Sequence, residues 1–336
     1  MAHMLEIKQG RASMFYVGDT PWHKLGTKLD NPATAEEAIR MAGLDFTVEK
    51  LPNVHRFPDG REVVSHSSFF TYRTDSGIIL GTRLGPTYTV AQNTECFKPF
   101  DDIVGAGEAI YHTAGVIGHG ERIWILAKMP DYVHVRINGH DDPVDNYLLL
   151  AQSHDGSLSI KMKLTPIRVV CNNTLSAALN IGADGRPHDD AQTISVRHAG
   201  DVHEKIKTAG RRLGLYNKLV EQLAEIYNTM GRKQVREKDI DQYLSQLIRP
   251  PEGQTELSAV AEETREQILE LVEVGAGSDW TRGTLWGAYN AVTEYTDHVV
   301  RKGVSDSALL KSIWFGGSRE SLKNKAFKLA VEMLNN

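Results

Sequence analysis

The clearest pattern along the chain is an alternation. Ile160, Met162 and Leu164 interleave with Ser159, Lys161 and Lys163, so a strand here carries one apolar face and one face with two ammonium groups. Residues 146–153 (NYLLLAQS) read as its partner strand, joined through Asp155-Gly156, because glycine takes the positive φ of a hairpin turn at no steric cost. Thr165-Pro166 interrupts the ladder, since proline has no N–H to donate, and residues 167–170 resume an extended run. Asn172-Asn173-Thr174 then offers an N-cap to the Ala/Leu-rich helix expected behind it.

Upstream, residues 34–41 (TAEEAIRM) predict a short helix after Asn31-Pro32. Strands are expected at 46–49, 63–72, 78–82 and 88–91, separated by Pro58-Asp59-Gly60, Asp75-Ser76-Gly77 and Gly85-Pro86. Thr94 is placed to cap a helix running through Phe100 and Ile103. Glycines 115, 118 and 120 give way to strands at 123–128 and 133–137, ahead of the hairpin. Turns rather than crossover helices join these strands, which predicts antiparallel pairing. Beyond Val202 the spacing becomes helical, over 202–230, 237–248, 257–274, 284–300 and 318–334, with breaks at Pro250-Pro251 and Gly275-Ala276-Gly277. The expectation is an α+β protein: a mostly antiparallel sheet domain over 1–200, then a largely helical region over 201–336.

A length of 336 residues suits one large or two moderate domains, and 41% hydrophobic with 24% charged residues is ordinary globular composition. The net charge of -5 excludes a protein that is basic overall, so any nucleic-acid site must be a local patch. Such patches exist. Between Arg197 and Lys238 ten Lys/Arg face five Asp/Glu, then three face twelve up to Val300, then seven face three. This alternation fits helices packing on one another, and equally a basic patch of one subunit meeting an acidic patch of the next. Cys96 and Cys171 show neither CxxC spacing nor a disulfide framework, which fits a reducing compartment. No stretch has the length and apolarity of a signal peptide or membrane span.

The basic hairpin is the first candidate for chemistry. No Asp or Glu lies between Ser157 and Leu179, while Lys161, Lys163 and Arg168 do. Cations in a row neutralise phosphates and release counterions. Arg122, Arg136 and His134 extend that surface, and Tyr88, Trp124, Tyr132 and Tyr147 supply rings for stacking bases. The bland alternative is a solvated strand face guarding an edge. A second basic group, Arg211-Arg212 with Lys205, Lys207 and Lys218, shares a predicted helix with Leu215, Leu219 and Leu223, and is as readily a solvated face. A metal reading gathers His140, Asp141, Asp142, Asp145 and His154, with His188-Asp189-Asp190 as a further group, as donors for Mg or Mn. Their spacing is that of turns rather than of a helix-borne site. Cys171 lacks a fixed histidine partner, and no nucleophile elbow, Walker A loop or dinucleotide fingerprint is present. Trp286, Tyr289, Val292, Thr293 and Thr296 recur at helical intervals, the mark of a core stripe or a subunit interface.

The hairpin, Trp22-His23-Lys24-Leu25-Gly26-Thr27 near the start and the segment WGAYNAVTEY at 286–295 together resemble the phage/plasmid-like proteins defined by the domain of unknown function numbered 932. The resemblance runs over most of the chain and implies a gene on a mobile element, hence a bacterial cytoplasm. It implies no catalytic residue. The expected function is therefore a non-catalytic DNA-binding protein acting on single strands in annealing or recombination, with no cofactor and no membrane, assembled as a homo-oligomer. Two alternatives remain: a Mg- or Mn-dependent phosphoesterase, and a phage protein that sequesters a host protein or nucleotide signal through its acidic helices.

Overall fold

Thr34 and Glu37 cap each other: the Glu37 N–H donates to the Thr34 hydroxyl at 3.3 Å, and the Thr34 N–H donates to the Glu37 carboxylate at 3.0 Å. That box starts α1 (Ala35–Met41) where the sequence predicts it. The computed structural model describes residues 6–8, 11–17, 26–31, 33–97, 110–168, 170, 173–174, 193–213, 216–299, 312 and 317–335. They form two compact units, each assembled from three segments. The first comprises Met1–Pro130, Tyr147–Lys163 and Thr193–Leu215; the second comprises Asp131–Asn146, Leu164–Gln192 and Tyr216–Asn336.

The first unit contains β1 (Ile7–Lys8) and β2 (Arg11–Ala12), then β3 (Met14–Val17), β4 (Thr27–Leu29), β5 (Val48–Arg56), β6 (Glu62–Arg73), β7 (Ile79–Leu84) and β8 (Ile110–Ile117). It also holds most of β9 (Arg122–Ile137), the latter half of β10 (His140–Ser153) and the start of β11 (Ile160–Arg168). Its main sheet runs β11-β10-β9-β8-β3-β4, and β13 (Thr193–Val196) also pairs with β11. β3 pairs with β8, β8 with β9 and β11 with β13 in antiparallel fashion, whereas β3 and β4 are parallel, with Phe15 opposite Thr27. Phe15, Tyr111, Ile123, Ile125, Ile160 and Met162 are buried at 0% exposure. β5, β6 and β7 form a separate antiparallel sheet, whose Thr71 hydroxyl donates to the His154 carbonyl at 2.6 Å. There Gly81 lies against the Asp155 backbone, where a Cβ would come within 2.7 Å of a Cα, so only glycine lets the strand approach the turn.

In the second unit, β9 and β10 join through Asn138-Gly139, with φ of 49° and 83°, the positive pair that a type I′ hairpin turn requires. Asn228 of α3 (Tyr216–Arg232) lies along the edge of β9. Its side-chain oxygen accepts the Arg136 N–H at 3.1 Å and its amide donates to the His134 carbonyl at 2.8 Å, so a side chain stands in for a neighbouring strand. The other helices are α4 (Glu237–Leu247), α5 (Ala259–Val274), α6 (Ser278–Thr281), α7 (Leu285–His298) and α8 (Ser318–Leu334). Helix α7 is buried on all sides: Trp286, Tyr289, Val292, Thr293 and Thr296 are all at 0%. Tyr227 and Phe327 complete an aromatic cluster, with Tyr227–Trp286 centroids at 4.9 Å and Tyr289–Phe327 at 5.7 Å. Helix α8 caps two others, because Arg319 donates to the Val299 carbonyl at 2.8 Å and to Thr296, and Lys325 donates to the Leu247 carbonyl.

The α+β class with mostly antiparallel sheets stands, and so do the predicted C-terminal helices, except that 202–230 is two helices, α2 (Val202–Leu213) and α3. Other expectations are corrected. Residues 123–137 form one strand through Pro130, and among the described residues its pairing with β8 runs no further than Lys128, opposite Ile110. β11 likewise continues through Pro166, which among the described residues falls between its pairing with β13, reaching Lys163, and its pairing with β12 (Asn173–Thr174), starting at Ile167. Asn173 is therefore a strand residue opposite Arg168, not a helix cap, and the helix expected behind it lies outside the described residues. Residues 88–91 form no strand beyond a bridge from Tyr88 to Ala199. Thr94 sits inside a helical turn over 93–97, and Phe100 and Ile103 lie outside the described residues. Among the described residues no helix is long and apolar enough to cross a membrane.

Candidate nucleic-acid interface

Lys161 and Lys163 of the basic hairpin and Lys205, Lys207, Arg211 and Arg212 of the basic helix belong to the first unit, whereas Arg168 and Lys218 belong to the second. Lys161 and Lys163 lie on β11 directly opposite Ser195 and Thr193 of β13, and both are half-buried. By alternation they face away from Ile160, Met162 and Leu164 in the core. From β13 the chain turns into α2, capped by Asp201, whose carboxylate accepts the Glu204 N–H at 3.0 Å. Between β13 and α2 runs an open groove of about 570 Å³, lined by Ser195, Arg197, Asp201, Glu204, Lys205 and Thr208 among others. Its acids have tasks already: Asp201 caps the helix, and Glu204 pairs with Lys207 at 3.6 Å. Lys205 donates to the Ala199 carbonyl at 2.6 Å. Arg211 and Arg212 occupy the last turn of α2, and Lys218 the first turn of α3; their side chains are outside the description. The strand that makes this groove, Thr193-Ile194-Ser195-Val196, escaped the sequence reading, although its β-branched run was the available signal.

The other expected site residues fall elsewhere. Arg122 staples the hairpin turn, donating to the Ser157 hydroxyl at 3.2 and 3.1 Å and lying 3.8 Å from Asp155. Tyr147 and Trp124 are 6% and 5% exposed, so neither offers a ring to a base. Tyr147 meets His112 edge-on at 5.1 Å, beneath Lys128 at 6.0 Å. Tyr88 stacks on His198 at 4.9 Å and donates to the Ser153 carbonyl at 3.0 Å. In the second unit Arg136 is exposed on the β9 face that carries Tyr132 and His134, whose rings lie 4.4 Å apart. Asp141 accepts from His134 there at 2.6 Å, so that patch is mixed in charge.

Arg168 is not a surface cation. Its guanidinium is 1% exposed and Asp142 is 0% exposed. Arg168 Nε donates to both Asp142 oxygens, at 3.0 and 2.8 Å, its Nη2 lies 2.7 Å from Oδ2, and its Nη1 donates to the Ala276 carbonyl at 2.8 Å. The Trp286 indole donates to the same Asp142 at 2.8 Å. Two of the three motifs that carry the family resemblance thus converge on one carboxylate. Of the third, Trp22-His23-Lys24-Leu25 lies outside the described residues, as do Cys171 and His188-Asp189-Asp190, while its Thr27 begins β4.

Of the metal candidates, Asp142 is committed to Arg168 and Trp286, Asp141 to His134, and His140 stacks on Trp280 at 5.5 Å. His154 belongs to the first unit, fully buried, with Nε2 at 2.9 Å from the Asn93 side-chain oxygen and its ring edge-on to Phe46 at 6.0 Å. Burial holds its pKa down to about 3, helped by the nearby His198 and Arg73, while Asp155 opposes. Among the described residues no three His, Cys, Asp or Glu side chains are grouped as a metal ion would need.

Neither curated proteins nor solved structures yield a match to this chain. A family model described as Domain of unknown function (DUF932) does match, over residues 82–314, from the end of β7 to just before α8. That span is well over half of the sequence and includes the hairpin, the groove and the Asp142 node, and the chain therefore belongs to the family that this domain defines.

Proposed function

We propose that this protein binds single-stranded DNA without catalysis, in annealing or recombination for a phage or plasmid in a bacterial cytoplasm. One observation carries the reading: β13 pairs with β11 and leads into α2, so Lys161 and Lys163 border the groove-forming strand while Arg197 and Lys205 line the groove itself. Within the lining Arg197 and Lys205 balance Asp201 and Glu204, so the excess of positive charge comes from Lys161 and Lys163 on the neighbouring strand. The mechanism is capture of the phosphodiester backbone by ammonium and guanidinium groups, with release of condensed counterions. No aromatic residue is among the groove's described lining, so binding is expected to tolerate any base sequence. Arg168 has no part in it, because its charge is neutralised in the core.

Fluorescence anisotropy with a labelled single-stranded oligonucleotide, titrated at two salt concentrations, tests this. Binding is expected to weaken steeply with salt. In Lys161→Ala/Lys163→Ala the slope of log K against log salt should fall by about 1.4, or roughly 0.7 for each phosphate contact removed. Wild-type protein that fails to bind at low salt sinks the reading, and a double variant with an unchanged slope removes the hairpin from it. Cleavage products in the presence of Mg or Mn would favour the phosphoesterase instead.

A further inference from the structure

Of the twelve large hydrophobic side chains that stay exposed among the described residues, seven lie between Leu51 and Ile79, five on the strands of the β5–β7 sheet and two, Phe57 and Ile78, in the turns that join them. Register shows how they are presented. Leu51 lies opposite Phe70 and Tyr72 opposite Ile79, so these four share one face, while Thr71 between them points to the other and bonds the His154 carbonyl. Leu51 is 43% and Ile79 53% exposed, so this outer face is uncovered. Beyond the irregularity at Pro52/Val54 only β5 and β6 continue, as a ribbon carrying Val54 opposite Val64, at 52% and 48%. A lone two-stranded ribbon is marginal in water, and exposed valines make it more so.

Summed over both faces of the sheet and ribbon, this exposure is on the order of several hundred Å², with Val63 and Val64 pointing to opposite sides, against the roughly 800 Å² that one partner brings to a standard interface. The charges indicate what covers it. Arg56 pairs with Glu62 at 3.2 Å and Arg61 with Asp59 at 3.6 Å, and the Tyr72 hydroxyl donates to Glu49 at 2.6 Å. Residues 49–83 hold five Lys/Arg and four Asp/Glu, a net +1. So neutral a surface has no field to draw in a polyanion. A two-fold interface instead sets a patch against its own copy, which demands that no single sign of charge dominate. From this apolar, internally neutralised face we infer that the β5–β7 sheet and its ribbon form an isologous interface with a second copy of this chain. The interface precedes the span matched by the family model except for the end of β7, and the inference does not rest on DNA binding.

Size-exclusion chromatography with light scattering on the full chain tests it. Wild-type protein at micromolar concentration should show at least twice the chain mass of 37.3 kDa. Leu51→Asp/Ile79→Asp, and separately Val54→Asp/Val64→Asp, should lower that mass by half while circular dichroism stays unchanged. Mixing Leu51→Asp/Ile79→Asp with Leu51→Lys/Ile79→Lys should restore it, because opposite charges then meet across the axis; if one variant fails to fold, the other still decides. A wild-type protein of single-chain mass overturns the inference, and so does an assembly whose mass survives both double variants.

Discussion

Asp142→Asn is expected to destabilise the protein by about 3–5 kcal/mol, read as a lowered urea midpoint at unchanged slope. The substitution keeps the shape of the side chain and removes its charge. Arg168, 1% exposed, then remains a buried cation whose former carboxylate partner is a neutral amide, beside the Ala276 carbonyl. The Trp286 indole keeps an acceptor of the same geometry, so the loss isolates the ion pair. Replacing both partners, as in Asp142→Leu/Arg168→Met, is expected to lose less than the single substitution, because no charge is left uncompensated. Equal losses from the single and double variants would argue against an ion pair at the centre of this unit. With whole domains stable by roughly 5–15 kcal/mol, the single variant brings this one near its limit.

Acid should weaken the fold in a window set by His154. The folded ring holds its proton only near pH 3, against 6.5 for an ordinary histidine. Below pH 6.5 the unfolded chain therefore binds a proton that the folded chain refuses, and stability falls as pH falls; above 6.5 the two states agree and the effect vanishes. At pH 5 the difference is about 2 kcal/mol, from 1.36 kcal/mol per unit. His198, whose pKa burial also lowers, acts in the same direction. Urea titrations at pH 7.5 and pH 5 read this above the range where carboxylates dominate, and His154→Gln should flatten the dependence. A wild-type midpoint that is equal at the two pH values would refute it.

What the sequence disclosed followed from local rules. Thr34 and Glu37 announce α1 within a single turn of chain, and the apolar spacing of α4, α5, α7 and α8 places each within about two residues. Arg168 shows where local rules stop and how far they reach. It has the same parity as Ile160, Met162 and Leu164, so counting by twos through Pro166 already assigns it to the buried face of β11. Its partner Asp142, which makes burial tolerable, stands 26 residues earlier and nothing nearby announces it. The Asn138-Gly139 dipeptide is a strong hairpin signal that went unused, and the expected strands over 123–128 and 133–137 leave out the stretch around Pro130 through which β9 runs. The groove needed β13 to find β11 across some thirty residues, a pairing that no periodicity encodes.

The Asp142 node also sets a schedule for biosynthesis. Trp286 follows Asp142 by 144 residues, so a ribosome working at 5–20 residues per second makes it roughly 7–30 s later. The last segment of the first unit ends at Leu215, and every residue of that unit exists before most of α3 to α8 has been made. The nascent chain therefore carries a finished set of parts for one unit and an Asp142–Arg168 pair still waiting for its indole. Proteases and chaperones meet the second unit in that incomplete form, and a chain that stops before α7 never leaves it.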